Sequence, residues 1–200
     1  MDLIFLMISG AAFFWVIRHQ EQRRRVNLLG AHLANYQIEK HLETLTEGYQ
    51  RALGEGDTQR REQIWQLLRP TEDALSRQMH KLAADFARAP EAETRVSKLP
   101  VHVPFAAKLL PRQSFDMRKA LALHAHAISQ AVADGAQAPH KTRAFNVSAE
   151  LFLMQHTCHW YCRSRSVASA RMLARHQTSH AQLVAAVPRE TREAYRTLTA

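Results

Sequence analysis

Residues 3–17 read LIFLMISGAAFFWVI, fifteen side chains without a charge, and residues 18–25 read RHQEQRRR. The boundary between these two stretches decides what the rest of the chain hangs from. As a helix the apolar run spans roughly 22 Å, and Met1 to Arg18 about 27 Å, against a hydrocarbon core of about 30 Å. Apolar residues fall on every side of that helix, with no polar stripe, which suits a lipid surround. Trp15 stands near one end, where an interfacial aromatic belongs.

The flanks set the orientation. Asp2 is the only charge before the run, whereas Arg18, Arg23, Arg24 and Arg25 follow it. The positive-inside rule then expects a single-pass helix in an inner or plasma membrane, N-terminus outside, with residues 18–200 cytoplasmic. A cleaved secretory signal has its positive charge before the apolar run and a small-residue site after it, the reverse of this order. The competing reading is a core helix, because apolar runs this short also occur inside globules.

The whole chain has 200 residues and 46% apolar residues, enough to bury a core. Its 6 Gly and 7 Pro argue against a turn-rich β fold, and its 2 Cys exclude a disulfide framework. The net charge of +9 is uneven. Residues 1–100 hold 14 Lys and Arg against 13 Asp and Glu, and residues 101–200 hold 13 against 5. A basic second half attracts phosphates, anionic lipid heads or an acidic protein face.

The periodicities are helical, and the expected fold class is all-α. Leu28, Ala31, Asn35, Ile38, Leu42, Leu45, Tyr49 and Ala52 recur at spacings of three and four. That heptad pattern allows a short coiled coil, and so a homodimer through residues 28–52, with Asn35 at a core position. Gly54-Glu55-Gly56-Asp57 then turns the chain into a second helix, so residues 19–88 read as a helical hairpin. Its second helix carries Ile64, Leu68, Leu75, Met79, Leu82 and Phe86 on one side, and Pro70 should kink or restart it. Pro90, Pro100 and Pro104 mark residues 89–104 as a linker, and residues 105–200 as a basic, His-rich helical bundle. Within it Ser114 is the expected N-cap of a helix to Asp134, closed by Gly135, with the stripe Met117, Leu121, His124, Ile128 and Val132. A helical run starting near Asn146 or Ser148 and reaching residue 187 forms one helix, or two with a break near Ser164–Ser166. No strand is expected.

Three clusters carry possible chemistry. Cys158, His159 and Cys162 offer soft ligands for zinc or haem, although the same positions make an ordinary apolar helix face. His176 and His180 have the i,i+4 spacing of a zincin helix, but Gln177 stands where that motif needs a glutamate base. Arg163, Arg165, Arg171 and Arg175 form a basic stripe one turn beyond Trp160 and Tyr161, able to meet an acidic protein, anionic lipid or nucleic acid. No phosphate loop, nucleophile elbow or carboxylate pair is present, so no enzyme activity is expected. The favoured reading is a membrane-anchored cytoplasmic adaptor. Arg23, Arg24 and Arg25 then sit at the lipid heads, and the basic second half meets an acidic partner or anionic lipid. A metal or haem protein is the alternative, and a nucleic-acid binder comes third.

Overall fold

The computed structural model describes residues 2–134 and 138–200, with side-chain surroundings for residues 4–133 and 138–200. The helix end expected at Gly135 lies outside the described residues. The fold is all-α: among the described residues there are ten helices, and the structure is 81% helical.

Helix α1 (Asp2–Leu33) is unbroken, so the apolar run and the arginines after it share one axis. Its first half stands clear of the body. The large apolar side chains from Ile4 to Val16 are between 43% and 74% exposed. Its second half joins the body through Gln22, Arg25 and Leu29, all buried. The core-helix reading is thereby excluded. Among the described residues no helix is long and apolar enough to cross a membrane; Arg18, His19, Gln20 and Glu21 follow the apolar run in the same helix.

The heptad stretch expected over residues 28–52 is interrupted. Helix α2 (Ile38–Gly54) starts after a break at residues 34–37. Asn35 is exposed there, and its amide donates to the Ala31 carbonyl at 3.3 Å. An asparagine that bonds its own backbone competes with the helix. The heptad therefore loses its register, and Ile38, Leu45, Tyr49 and Ala52 are buried in the chain's own core. The coiled-coil seam expected over residues 28–52 is spent on the fold itself.

Helix α3 (Thr58–Phe86) returns along α2 as an antiparallel hairpin. Asp57 caps it, accepting the Arg60 N–H at 2.8 Å. Pro70 sits within this one helix rather than ending it. Gly48 lets α2 and α3 close together, since a Cβ there would run into the Leu68 side chain.

Residues 89–104 are built into the body rather than forming a solvated linker. They hold α4 (Glu91–Thr94) and β1 (Arg95–Ser97), and β1 pairs antiparallel with β2 (Ser114–Asp116), Val96 facing Phe115. Strands of three residues are too short to show an alternating pattern, which is why none is visible in the sequence. Between them lie α5 (Ala106–Leu109) and a 3-10 turn at Pro111–Gln113. Ser114 thus opens a strand instead of capping a helix. Helix α6 (Met117–Asp134) starts beyond it, with Asp116 accepting the Arg118 N–H at 2.9 Å. All five stripe residues of α6 are buried.

The last third is four helices: α7 (His140–Cys162), α8 (Arg165–His176), α9 (His180–Ala186) and α10 (Arg189–Thr199). Helix α7 begins six residues earlier than Asn146. Ser164 breaks the run by capping α8, accepting the Val167 N–H at 3.4 Å. One cluster of buried side chains draws on α1, α2, α3, α6, α7 and both strands, so the hairpin and the basic helices share a core. A smaller cluster joins Leu153 and Met172 to Leu183, Val187 and Tyr195.

Candidate functional site

The basic residues singled out from the sequence fall into two kinds. Arg23, Arg24, Arg171 and Arg175 are exposed. Arg25 is buried and engaged: its guanidinium donates to Glu21 at 2.8 Å, to the Arg95 carbonyl at 3.2 Å and to the Tyr161 carbonyl at 3.4 Å. It pins α1 to the body and is not free for the lipid contact expected of it. Arg163 donates to Gln22 Oε1 at 2.7 Å, and Arg165 lies over the Trp160 ring at 5.7 Å. Their periodicity is that of a surface stripe, but their long side chains reach back onto the fold.

Trp160 and Tyr161 are 2% and 0% exposed. Trp160 donates to the Ser97 carbonyl at 2.9 Å, and Tyr161 to the Glu93 carbonyl at 3.0 Å. Neither presents a face on which a base could stack, so the arrangement required of a nucleic-acid surface is missing at these residues.

Arg175 belongs instead to one wall of a groove of about 830 Å³ between α1–α2 and α7–α8. Leu29, Leu33, Ile38, Leu42, Leu82 and Met154 form an apolar floor. Glu39, Glu43 and Glu47, each one turn apart on α2, line one wall together with Lys40. Arg175 and His176 line the other, and Arg171 approaches the groove's His159 at 3.3 Å. The glutamate row was open to view at its i,i+4 spacing; what the sequence hides is that α2 faces α8.

Cys158, His159 and Cys162 line the same groove and are half-buried. Burial pushes the Cys158 thiol up to about 12 and the Cys162 thiol to about 11. Among the described residues no three His, Cys, Asp or Glu side chains gather where a metal ion could be held. His176 and His180 are separated as well. Helix α8 ends at His176, Gln177 takes a left-handed φ of 51°, and Ser179 with Gln182 forms a capping box that starts α9.

A second cavity, about 390 Å³, lies where the bare part of α1 meets the body. Ile17, Glu21, Arg24 and Leu28 of α1 form one side, and Phe105 and Lys108 the other.

The remaining polar feature is interior. His124 is fully buried, with Nε2 2.9 Å from Thr157 Oγ1, and Thr157 donates to Leu153 O at 2.9 Å. His156 stacks on His180 with centroids 4.3 Å apart. Burial holds the His124 and His156 imidazoles down to about 3, and the neighbouring His180, His159, His124 and Arg165 side chains add to the effect on His156. These are neutral packing groups facing core, as the stripe position of His124 suggests.

Comparison with protein-family models, with curated proteins and with solved structures finds no match to any of them.

Proposed function

We propose that this chain is a membrane-anchored adaptor. The first half of α1 is held in lipid, and the helical body stands on the cytoplasmic side, where its groove takes an amphipathic helix of a partner protein. The observation that carries the reading is the bare helix: apolar side chains from Ile4 to Val16 are exposed all round, with arginines immediately behind them. Water is a poor solvent for so large a patch, and patches of this kind mark interaction surfaces. A protein partner usually covers one stripe of a helix; lipid covers every face. The charge order sets the N-terminus outside and residues 18–200 within.

The run remains shorter than an ordinary span, as the absence of a described spanning helix reflects. Local thinning of the bilayer and snorkelling of Arg18 make up the difference. In the groove, apolar floor and walls of opposite sign favour a helix with an apolar face, acidic groups toward Arg171 and Arg175 and basic groups toward Glu39, Glu43 and Glu47.

Deleting residues 2–17 tests the anchor. Full-length protein is expected to float with membranes in a density gradient and to resist carbonate extraction, while the deleted form stays at the bottom. Full-length protein that stays at the bottom would overturn the proposal.

A further inference from the structure

We infer that residues 101–112 form a second membrane-contacting element, seated beside the arm on an anionic lipid surface. This rests on the anchor proposed above. The segment displays Val101, Val103, Phe105, Leu109 and Leu110 at 56%, 37%, 46%, 74% and 47% exposure. Five exposed apolar side chains in ten residues are unusual for a loop in which His102, Pro104, Ala106 and Ala107 between them are buried.

Its place on the molecule explains them. The Phe105 N–H donates to Glu21 Oε2 at 3.2 Å, and His102 Nε2 lies 3.9 Å from Glu21 Oε1. Glu21 is one turn past Ile17, the last residue of the apolar run. The loop is therefore fastened to α1 at the level where the helix leaves lipid. Phe105 takes a left-handed φ of 61°, rare for a bulky residue, at the start of α5. Cations outnumber carboxylates around it: Arg24, Arg25 and Lys108 line the same cavity as Glu21 and Glu93. Lys108 lies 6.0 Å from the Phe105 ring, Arg24 faces both across the cavity of about 390 Å³, and Arg112 follows in the next turn. Apolar side chains flanked by cations, next to an anchor, match the boundary between acyl chains and anionic heads. Phe105 and Leu109 would enter the acyl boundary, with lipid phosphate between Arg24 and Lys108.

The test places the photoreactive residue p-benzoylphenylalanine at position 109 of the full chain, reconstituted in vesicles of phosphatidylcholine with and without phosphatidylglycerol. Position 67 is the control. It is 76% exposed but lies in the half of α3 away from Phe86, which packs on His32 of α1. Irradiation is expected to give lipid adducts at 109 and none at 67. Phosphatidylglycerol should be over-represented in them by roughly fivefold relative to its mole fraction. That enrichment should vanish when Lys108→Glu and Arg24→Glu are combined. Protein that floats with the vesicles yet gives no adduct at 109 would overturn this inference and leave the anchor standing. Adducts in which phosphatidylglycerol is not enriched would overturn its choice of lipid, and failure to float would overturn the anchor itself.

Discussion

Glu150 shows how much a single buried group can conceal. It is fully buried on α7, and desolvation raises its carboxyl to about 7, against an ordinary 4.5. His124 and His156 are shifted the other way, to about 3. The signs are opposite in their effect on stability. The two histidines leave the unfolded chain binding more protons as pH falls below about 6.5, so acid weakens the fold. Glu150 leaves the folded chain binding more between about 7 and 4.5, so its contribution is full below 4.5 and is lost as pH rises through 7. Each unmatched proton is worth about 1.4 kcal/mol per pH unit. Two histidines outweigh one glutamate, and stability should fall from pH 6.5 to 4. Replacing Glu150 with Gln removes the opposing contribution. Denaturant midpoints of the two forms in detergent, between pH 7.5 and 4.5, are expected to fall more steeply for Glu150→Gln. A shallower fall would contradict the assignment. The sequence shows these residues but not their burial. His124 was legible because it lies on an apolar stripe, whereas Glu150 and His156 lie on α7, which is buried on several sides and has no single stripe to read.

At the scale of elements, legibility followed the strength of the local signal. The α2–α3 hairpin, its Gly-Glu-Gly-Asp turn and the stripe of α6 could be read because periodicity and turn residues agree. Where the outcome depends on a partner far along the chain, the reading failed. The strand at Arg95–Ser97 needs Ser114–Asp116 beside it, and the apolar side of α2 is taken up by a core shared with α3, α6 and α7. The candidate groove was half legible: Cys158, His159, Cys162 and Arg175 were named, but their meeting with α2 was not. The join between α2, α3 and α7 also escaped notice. There Glu72, fully buried on α3, accepts from Tyr49 at 2.6 Å and meets Arg143 Nε at 3.3 Å. Truncating one member of such a pair strands a charge in the core, at a cost of about 3–5 kcal/mol. Arg143→Ala should therefore lower the urea midpoint by that equivalent. Adding Glu72→Gln should restore part of it, because the stranded charge goes with it. No recovery in the double variant would mean that the two charges do not act as a pair.

Taken whole, the molecule is lopsided. A packed helical body carries one bare apolar helix, and the cations Arg23 and Arg24 with the apolar loop at 101–110 sit at the base of that helix. The arm leads away from the body, and its large apolar side chains from Ile4 to Val16 are left uncovered by the fold. Tryptophan reports on this directly. Of the three tryptophans, Trp15 is 64% exposed on the arm, whereas Trp65 and Trp160 are 3% and 2% exposed within the body. Emission from the full chain in vesicles, read with quenchers confined either to lipid or to water, separates the possible surroundings of the arm. The expected result is that brominated lipid removes the Trp15 contribution, identified by its absence in Trp15→Phe, while aqueous acrylamide leaves it in place. Trp15 emission quenched by acrylamide and untouched by brominated lipid would contradict the account.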